Sequence, residues 1–250
     1  MKKLFTLIAT AALVLGSCTS EKPEWAEGTI QDKATINLSI TNDDAMVITR
    51  AEQTADNSTW YAKVGSEAMA AASSIIGKAY TPGDYTITVA NFATESAAYV
   101  GAGSAYYTAE KSVTLAKGIN TVSIECGTAK NSKLTIDWTG TEGVSGLSMT
   151  SVTAKQEAKS RTYSYTAGGS AFFYAGTDIT YTIAYSYNGA DKQIDGTIAA
   201  PAAATEYKLN VSANSNGSIT TLTITYDDAF AAGETTTITI DAATGAKVGA

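Results

Sequence analysis

The residue this chain lacks says most about its chemistry: there is no histidine among its 250 residues. That excludes Ser-His-Asp and Cys-His catalysis together with the common zinc sites. No glycine-rich phosphate loop is present either. Two carboxylate pairs remain, Asp43-Asp44 and Asp227-Asp228. A glycosidase needs its two carboxylates across a cleft, which neighbours on one turn do not provide. The spaced Asp-x-Asp-x-Asp-Gly loop of a calcium site is also missing, so both pairs read as turn and cap residues. Cys126 ends the run Thr121-Val122-Ser123-Ile124-Glu125-Cys126, where it shares a face with Val122 and Ile124. It reads as a buried thiol with no basic partner to activate it. The sequence therefore implies no catalytic residue, no metal and no cofactor, and the chain is expected not to be an enzyme.

Binding chemistry is better represented, in aromatic clusters at Trp60-Tyr61, Tyr106-Tyr107 and Phe172-Phe173-Tyr174. In an extended chain neighbouring rings point to opposite faces, so one ring of each cluster is free to face solvent. Trp60, Tyr61, Tyr106, Tyr107 and Phe173 are the candidate contacts for a glycan. Tyr181, Tyr185 and Tyr187 share the parity of Ile179 and Ile183, and Trp138 that of Leu134 and Ile136. Those four rings are expected in the core.

The elements that position these residues are strands. Period-two alternation runs from Ala34 onward: Ala34, Ile36, Leu38 and Ile40; Tyr85, Ile87 and Val89; Val122, Ile124 and Cys126; Ile179 to Tyr187; Leu222, Ile224 and Tyr226. The intervening positions are mostly Thr and Ser, which favour strands and tolerate water. One buried and one wet face implies antiparallel sheets packed face to face. Glu67 to Ile76 is the best place for a short helical turn. Gly127 to Ser132 is the best boundary, and the halves on either side look weakly repeated. Thr81 to Val89 matches Gly176 to Ile183, and the later strand into Cys126 matches Tyr207 to Val211. The expected fold is all-β, two tandem sandwich domains at 33–130 and 131–242, followed by a tail at 243–250.

The N-terminus supplies an address. Lys2 and Lys3 precede the apolar stretch Leu4 to Leu15, and Gly16-Ser17-Cys18 follows. This is a secretory signal whose Leu-Gly-Ser-Cys end resembles a bacterial lipobox. Residues 1–17 are the expected signal peptide, Cys18 the lipidated first residue and 18–32 a flexible tether. The protein would then be lipid-anchored in an outer membrane and exposed at the cell surface. The net charge is −7 with only two arginines, Arg50 and Arg161. Without a basic stripe to neutralise phosphates, nucleic acid is excluded as a partner.

Further motifs carry a family resemblance. Pro82-Gly83-Asp84-Tyr85-Thr86-Ile87-Thr88-Val89 resembles a hairpin of transthyretin-like sandwiches. The lipobox, Ile48-Thr49-Arg50-Ala51, Ala105-Tyr106-Tyr107 and Gly118 to Cys126 together resemble an uncharacterised Bacteroidales lipoprotein family with a fimbrillin-like layout. That resemblance implies a non-enzymatic surface protein for adhesion or fimbria-like assembly, with other surface or fimbrial subunits as partners. It also implies that proteolysis after Arg50 would remove an N-terminal strand and expose a groove for the next subunit. The alternative is a surface glycan-binding module using the exposed rings.

Overall fold

The computed structural model describes residues 32–42, 53–54, 60–216, 219–228 and 237–241. The signal segment, Cys18, the tether before Asp32, Asp43-Asp44, Arg50 and the tail at 243–250 lie outside the described residues.

Strand alternation becomes burial alternation. In β1 (Ala34–Asn42), Ala34, Ile36, Leu38 and Ile40 are buried while Thr35, Ser39 and Thr41 are half-buried. The rest of the first half is β2 (Gln53–Thr54), β3 (Tyr61–Val64), β4 (Ala70–Ala71), β5 (Ala79–Tyr80), β6 (Gly83–Ala90), β7 (Thr108–Leu115) and β8 (Gly118–Glu125). The second half is β9 (Asn131–Gly140), β10 (Leu147–Gln156), β11 (Arg161–Ser164), β12 (Gly169–Tyr174), β13 (Ile179–Tyr187), β14 (Ala190–Ile198), β15 (Glu206–Asn216), β16 (Ile219–Asp228) and β17 (Thr237–Asp241).

The two halves repeat one another strand for strand. In the first, β1 lies between β8 and β5, with β2 also on the β5 side, and the facing sheet runs β4-β3-β6-β7. In the second, β9 lies between β15 and β12, and the facing sheet runs β11-β10-β13-β14. The sequence repeat follows this match, since Thr81–Val89 supplies β6 and Gly176–Ile183 leads into β13. Most pairs are antiparallel, but each half has one parallel pair, β1 with β8 and β9 with β15. A parallel pair needs a long crossover, and the facing sheet supplies it in both halves. The second half then extends its sheet by β16 and β17.

Each sandwich encloses its own apolar cluster. Ile36, Ile40, Trp60, Ile87, Tyr107 and Leu115 fill the first. Leu134, Ile136, Phe173, Tyr181, Ile183 and Leu209 fill the second. Trp138 is only partly buried against the second cluster, short of the full burial its parity predicts.

The helical turn expected within Glu67 to Ile76 is present but confined to three residues. The segment forms β4 and then a three-residue 3-10 turn, Ala72–Ser74. A helix this short is not stable alone, and here pairing wins: Ala70 and Ala71 join β3, and the Ala72 N–H reaches the Trp60 carbonyl at 2.7 Å.

In the second sandwich Tyr181 pairs across the strands with Gly196. A Cβ at Gly196 would lie 2.1 Å from the Tyr181 ring, which is itself buried. Gly196→Val is therefore expected to lower the unfolding free energy by about 1–3 kcal/mol, the usual cost of overpacking a core, measured by urea denaturation. A loss below ~0.5 kcal/mol, within the range of an inconsequential surface change, would mean that the ring swings aside.

Candidate interaction surfaces

The aromatic candidates divide by strand parity. Trp60, Tyr107 and Phe173 are 6%, 4% and 0% exposed, so as glycan contacts they are corrections. Trp60 and Tyr107 pack into the first core and Phe173 into the second. In β12 the inward positions are Ala171 and Phe173, and the half-buried rings are their neighbours Phe172 and Tyr174. Tyr61 and Tyr106 keep partial exposure, on β3 and in the segment before β7. Tyr181 and Tyr185 are buried, as their parity predicts, and Tyr187 is partly buried.

The remaining reactive groups are quiet ones. Cys126 is buried, and burial pushes its thiol up to about 11, which removes the thiolate a nucleophile needs. Asp227 and Asp228 close β16, opposite Lys208 and Tyr207. Hydrogen bonds from Thr182 and Gln193 hold the Asp195 carboxyl below its usual range. Burial pushes Glu206 up, but hydrogen bonds from Thr135 and Lys133 outweigh it and leave that carboxyl low as well. Open depressions on the surface of the described residues include the following pair. One of about 280 Å³ is lined by Asp84, Tyr85, Thr86 and Thr114, and one of about 340 Å³ by Thr150, Tyr185, Asp191 and Gln193. Neither brings together groups with shifted proton affinity and a nucleophile. Among the described residues no helix is long and apolar enough to cross a membrane.

The most constrained polar site joins the halves. Arg161 opens β11 and is only 8% exposed. Its Nε donates to the Phe172 carbonyl at 3.0 Å, Nη1 to that of Tyr99, and Nη2 to those of Gly101 and Ala102 at 2.9 and 3.3 Å. Three of these four acceptors belong to the first half, in and after the 3-10 turn Glu95–Tyr99. The Phe172 N–H closes the contact by donating to the Ala102 carbonyl at 2.8 Å. Tyr99 stacks on Tyr174 with ring centres 3.8 Å apart, and the guanidinium lies 5.2 Å from the Phe173 ring. Asn131, fully buried, adds a second tie. Its Oδ1 accepts the Tyr106 N–H at 3.0 Å and its Nδ2 donates to the Ser104 carbonyl at 2.8 Å. Nothing in the sequence singled out Arg161; the one available signal was a cation in alternation with Tyr163 and Tyr165.

Burial lowers the proton affinity of Arg161 and raises that of Tyr165, Tyr99 and Tyr80. Tyr165 and Tyr99 are pushed well above 10, and Tyr80 up to about 12, with desolvation the main cause in each. Above pH 10 an unfolded tyrosine loses its proton while these three keep theirs, so the unfolded chain binds fewer protons and gains. Stability is therefore expected to hold below pH 10 and to fall as pH rises from about 10 toward 12. Denaturation midpoints measured at pH 8 and 11 check this, and Tyr165→Phe, though weaker at pH 8, should show a shallower fall.

Solved structures from Bacteroides and Parabacteroides species align with most of this chain at low identity. A fimbrial assembly protein of Parabacteroides distasonis aligns over 82% of this chain and 98% of its own, at 9% identity and a TM-score of 0.46. A candidate cell adhesion protein of Bacteroides fragilis aligns over 81% of this chain and 99% of its own, at 12% identity and a TM-score of 0.42. A candidate adhesin of Bacteroides ovatus aligns over 80% and 96%, at 8% identity and a TM-score of 0.39. Likeness at this level says nothing of what the present chain does. No curated protein matches it. One family does match, over residues 32–242, which takes in both sandwiches and the joint between them; the chain belongs to that family, described as a domain of unknown function (DUF4493).

Proposed function

We propose that this protein is a non-enzymatic cell-surface lipoprotein, anchored in the outer membrane at Cys18, that serves adhesion or fimbria-like assembly through strand or loop contacts. The observation that carries this reading is the place of β1. It is a central strand whose Ala34, Ile36, Leu38 and Ile40 are all buried, and it holds β8 on one side and β5 on the other. It is also the strand that precedes Arg50 in the chain. A cut after Arg50 would take β1 out of the sandwich and leave a slot lined by main-chain groups of β8 and by the uncovered core. A strand from another subunit fits such a slot, with main-chain hydrogen bonds giving affinity and alternate side-chain pockets giving specificity. The second reading, a glycan-binding module, keeps only Tyr61 and Tyr106 of its five candidate rings.

The test is the mass and gel mobility of the protein taken from the surface of intact cells. A chain that begins at Ala51 and runs as a detergent-resistant ladder is the expected result for strand-exchange assembly. A monomer that still begins at lipidated Cys18 would overturn assembly by cleavage and send the question to glycan arrays. A chain that begins at Cys18 or earlier and carries no lipid would overturn the anchor.

A further inference from the structure

The seven-strand unit occurs twice, and its two copies end differently. β15 is covered along Tyr207–Asn216 by β16, whereas no strand lies beyond β8, its counterpart, among the described residues. The register fixes which groups of β8 are bare. The Gly118 N–H reaches the Lys33 carbonyl and the Cys126 N–H that of Thr41. Even-numbered residues therefore turn their main chain toward β1, and Ile119, Thr121, Ser123 and Glu125 turn theirs outward.

One of these outward groups is occupied. Lys111 Nζ, from β7, donates to the Ser123 carbonyl at 2.9 Å. Lys111 stands opposite Ile87, four residues into the β6–β7 hairpin, on the same side of its strand as Val113 and Leu115. Lys111, an exposed residue of the edge strand β7, thus reaches across the mouth of the sandwich to the edge of the opposite sheet. Inward-pointing charge on an edge strand is a means by which sheets avoid pairing with other chains.

We propose that Lys111 is an edge guard, which keeps β8 from pairing antiparallel with β8 of a second copy of this chain. The second copy is the occupant because this edge is complementary to itself. A two-fold pairing centred on Val122 sets Thr121 opposite Ser123 and Ile119, now 82% exposed, opposite Glu125. It also sets Lys117 diagonal to Glu125 at both ends, an attractive charge pair. The obstacle is at the centre. Each copy brings its Lys111 ammonium to Ser123, one residue from the axis, where the two cations repel and each holds an acceptor the partner strand requires.

The experiment is light scattering and sedimentation of residues 18–250 made without lipid, over a range of concentration. The wild type and Lys111→Arg are expected to stay monomeric. Lys111→Thr and Lys111→Gln are expected to dimerise, with a dissociation constant at least tenfold lower. Adding Ser123→Pro, which removes an outward N–H of β8, should return them to monomers. Circular dichroism of each variant identifies any that fails to fold, and having two neutral replacements keeps the comparison intact. The proposal is overturned if folded Lys111→Thr and Lys111→Gln remain as monomeric as the wild type. It is equally overturned if their dimers survive Ser123→Pro, or if the wild type already pairs through β8.

Discussion

A buried guanidinium whose acceptors are main-chain carbonyls is the constraint on which the joint between the two sandwiches depends. The turn from Tyr99 to Ala102 leaves the first half and lies against the edge of β12, where the Tyr99 carbonyl is buried and those of Gly101 and Ala102 are half-buried against Arg161. Buried main-chain groups must be paired, and each one left bare costs about 1–3 kcal/mol. Arg161 pairs three carbonyls of that turn and the Phe172 carbonyl of β12 at once. Only arginine offers a planar fork of donors able to do this; a lysine ammonium on a flexible stem does not. With the turn held, Ala102 closes the β12 edge and Tyr99 can stack on Tyr174.

Two amide side chains, Gln156 buried and Asn91 half-buried, extend the same solution to the neighbouring chain. Asn91 accepts the Tyr107 N–H and donates to the Ala105 carbonyl, while Gln156 accepts the Tyr174 N–H and donates to the carbonyls of Tyr174 and Thr177. Each side chain stands in for a missing strand at a sheet margin. Margins are the recurring problem of this architecture, because each seven-strand unit has open edges that invite other chains. The second unit covers its β15 edge with β16, the β12 edge is covered by the Tyr99–Ala102 turn, and the β8 edge is held by one lysine. The same open layout makes strand contact the natural basis for a surface role.

Much of this was legible in the sequence, and what was missed has a common cause. Alternation placed β1, β6, β8 and β13 and sent Tyr181 and Tyr185 to the core, because one face of each strand is uniformly apolar. It failed at Trp60, Tyr107 and Phe173, where adjacent rings make both faces apolar. There the choice of inward face depends on which partner strand is present. Phe173 did carry a clue in sharing parity with Ala171 rather than with the polar positions. Arg161 and Lys111 were invisible for the opposite reason. A single cation on a strand reads as a solvated charge until topology brings a buried turn, or an edge, within its reach. The Glu67–Ile76 segment keeps its helical turn to three residues, because its alanines favour helix locally while pairing with β3 decides the rest.

If Arg161 and Asn131 lock the two sandwiches together, the chain should unfold as a single cooperative unit. Differential scanning calorimetry of the protein tests this most directly. The account predicts one transition whose calorimetric and van't Hoff enthalpies agree. Two resolved transitions, one for each sandwich, would contradict it and make the joint a passive contact.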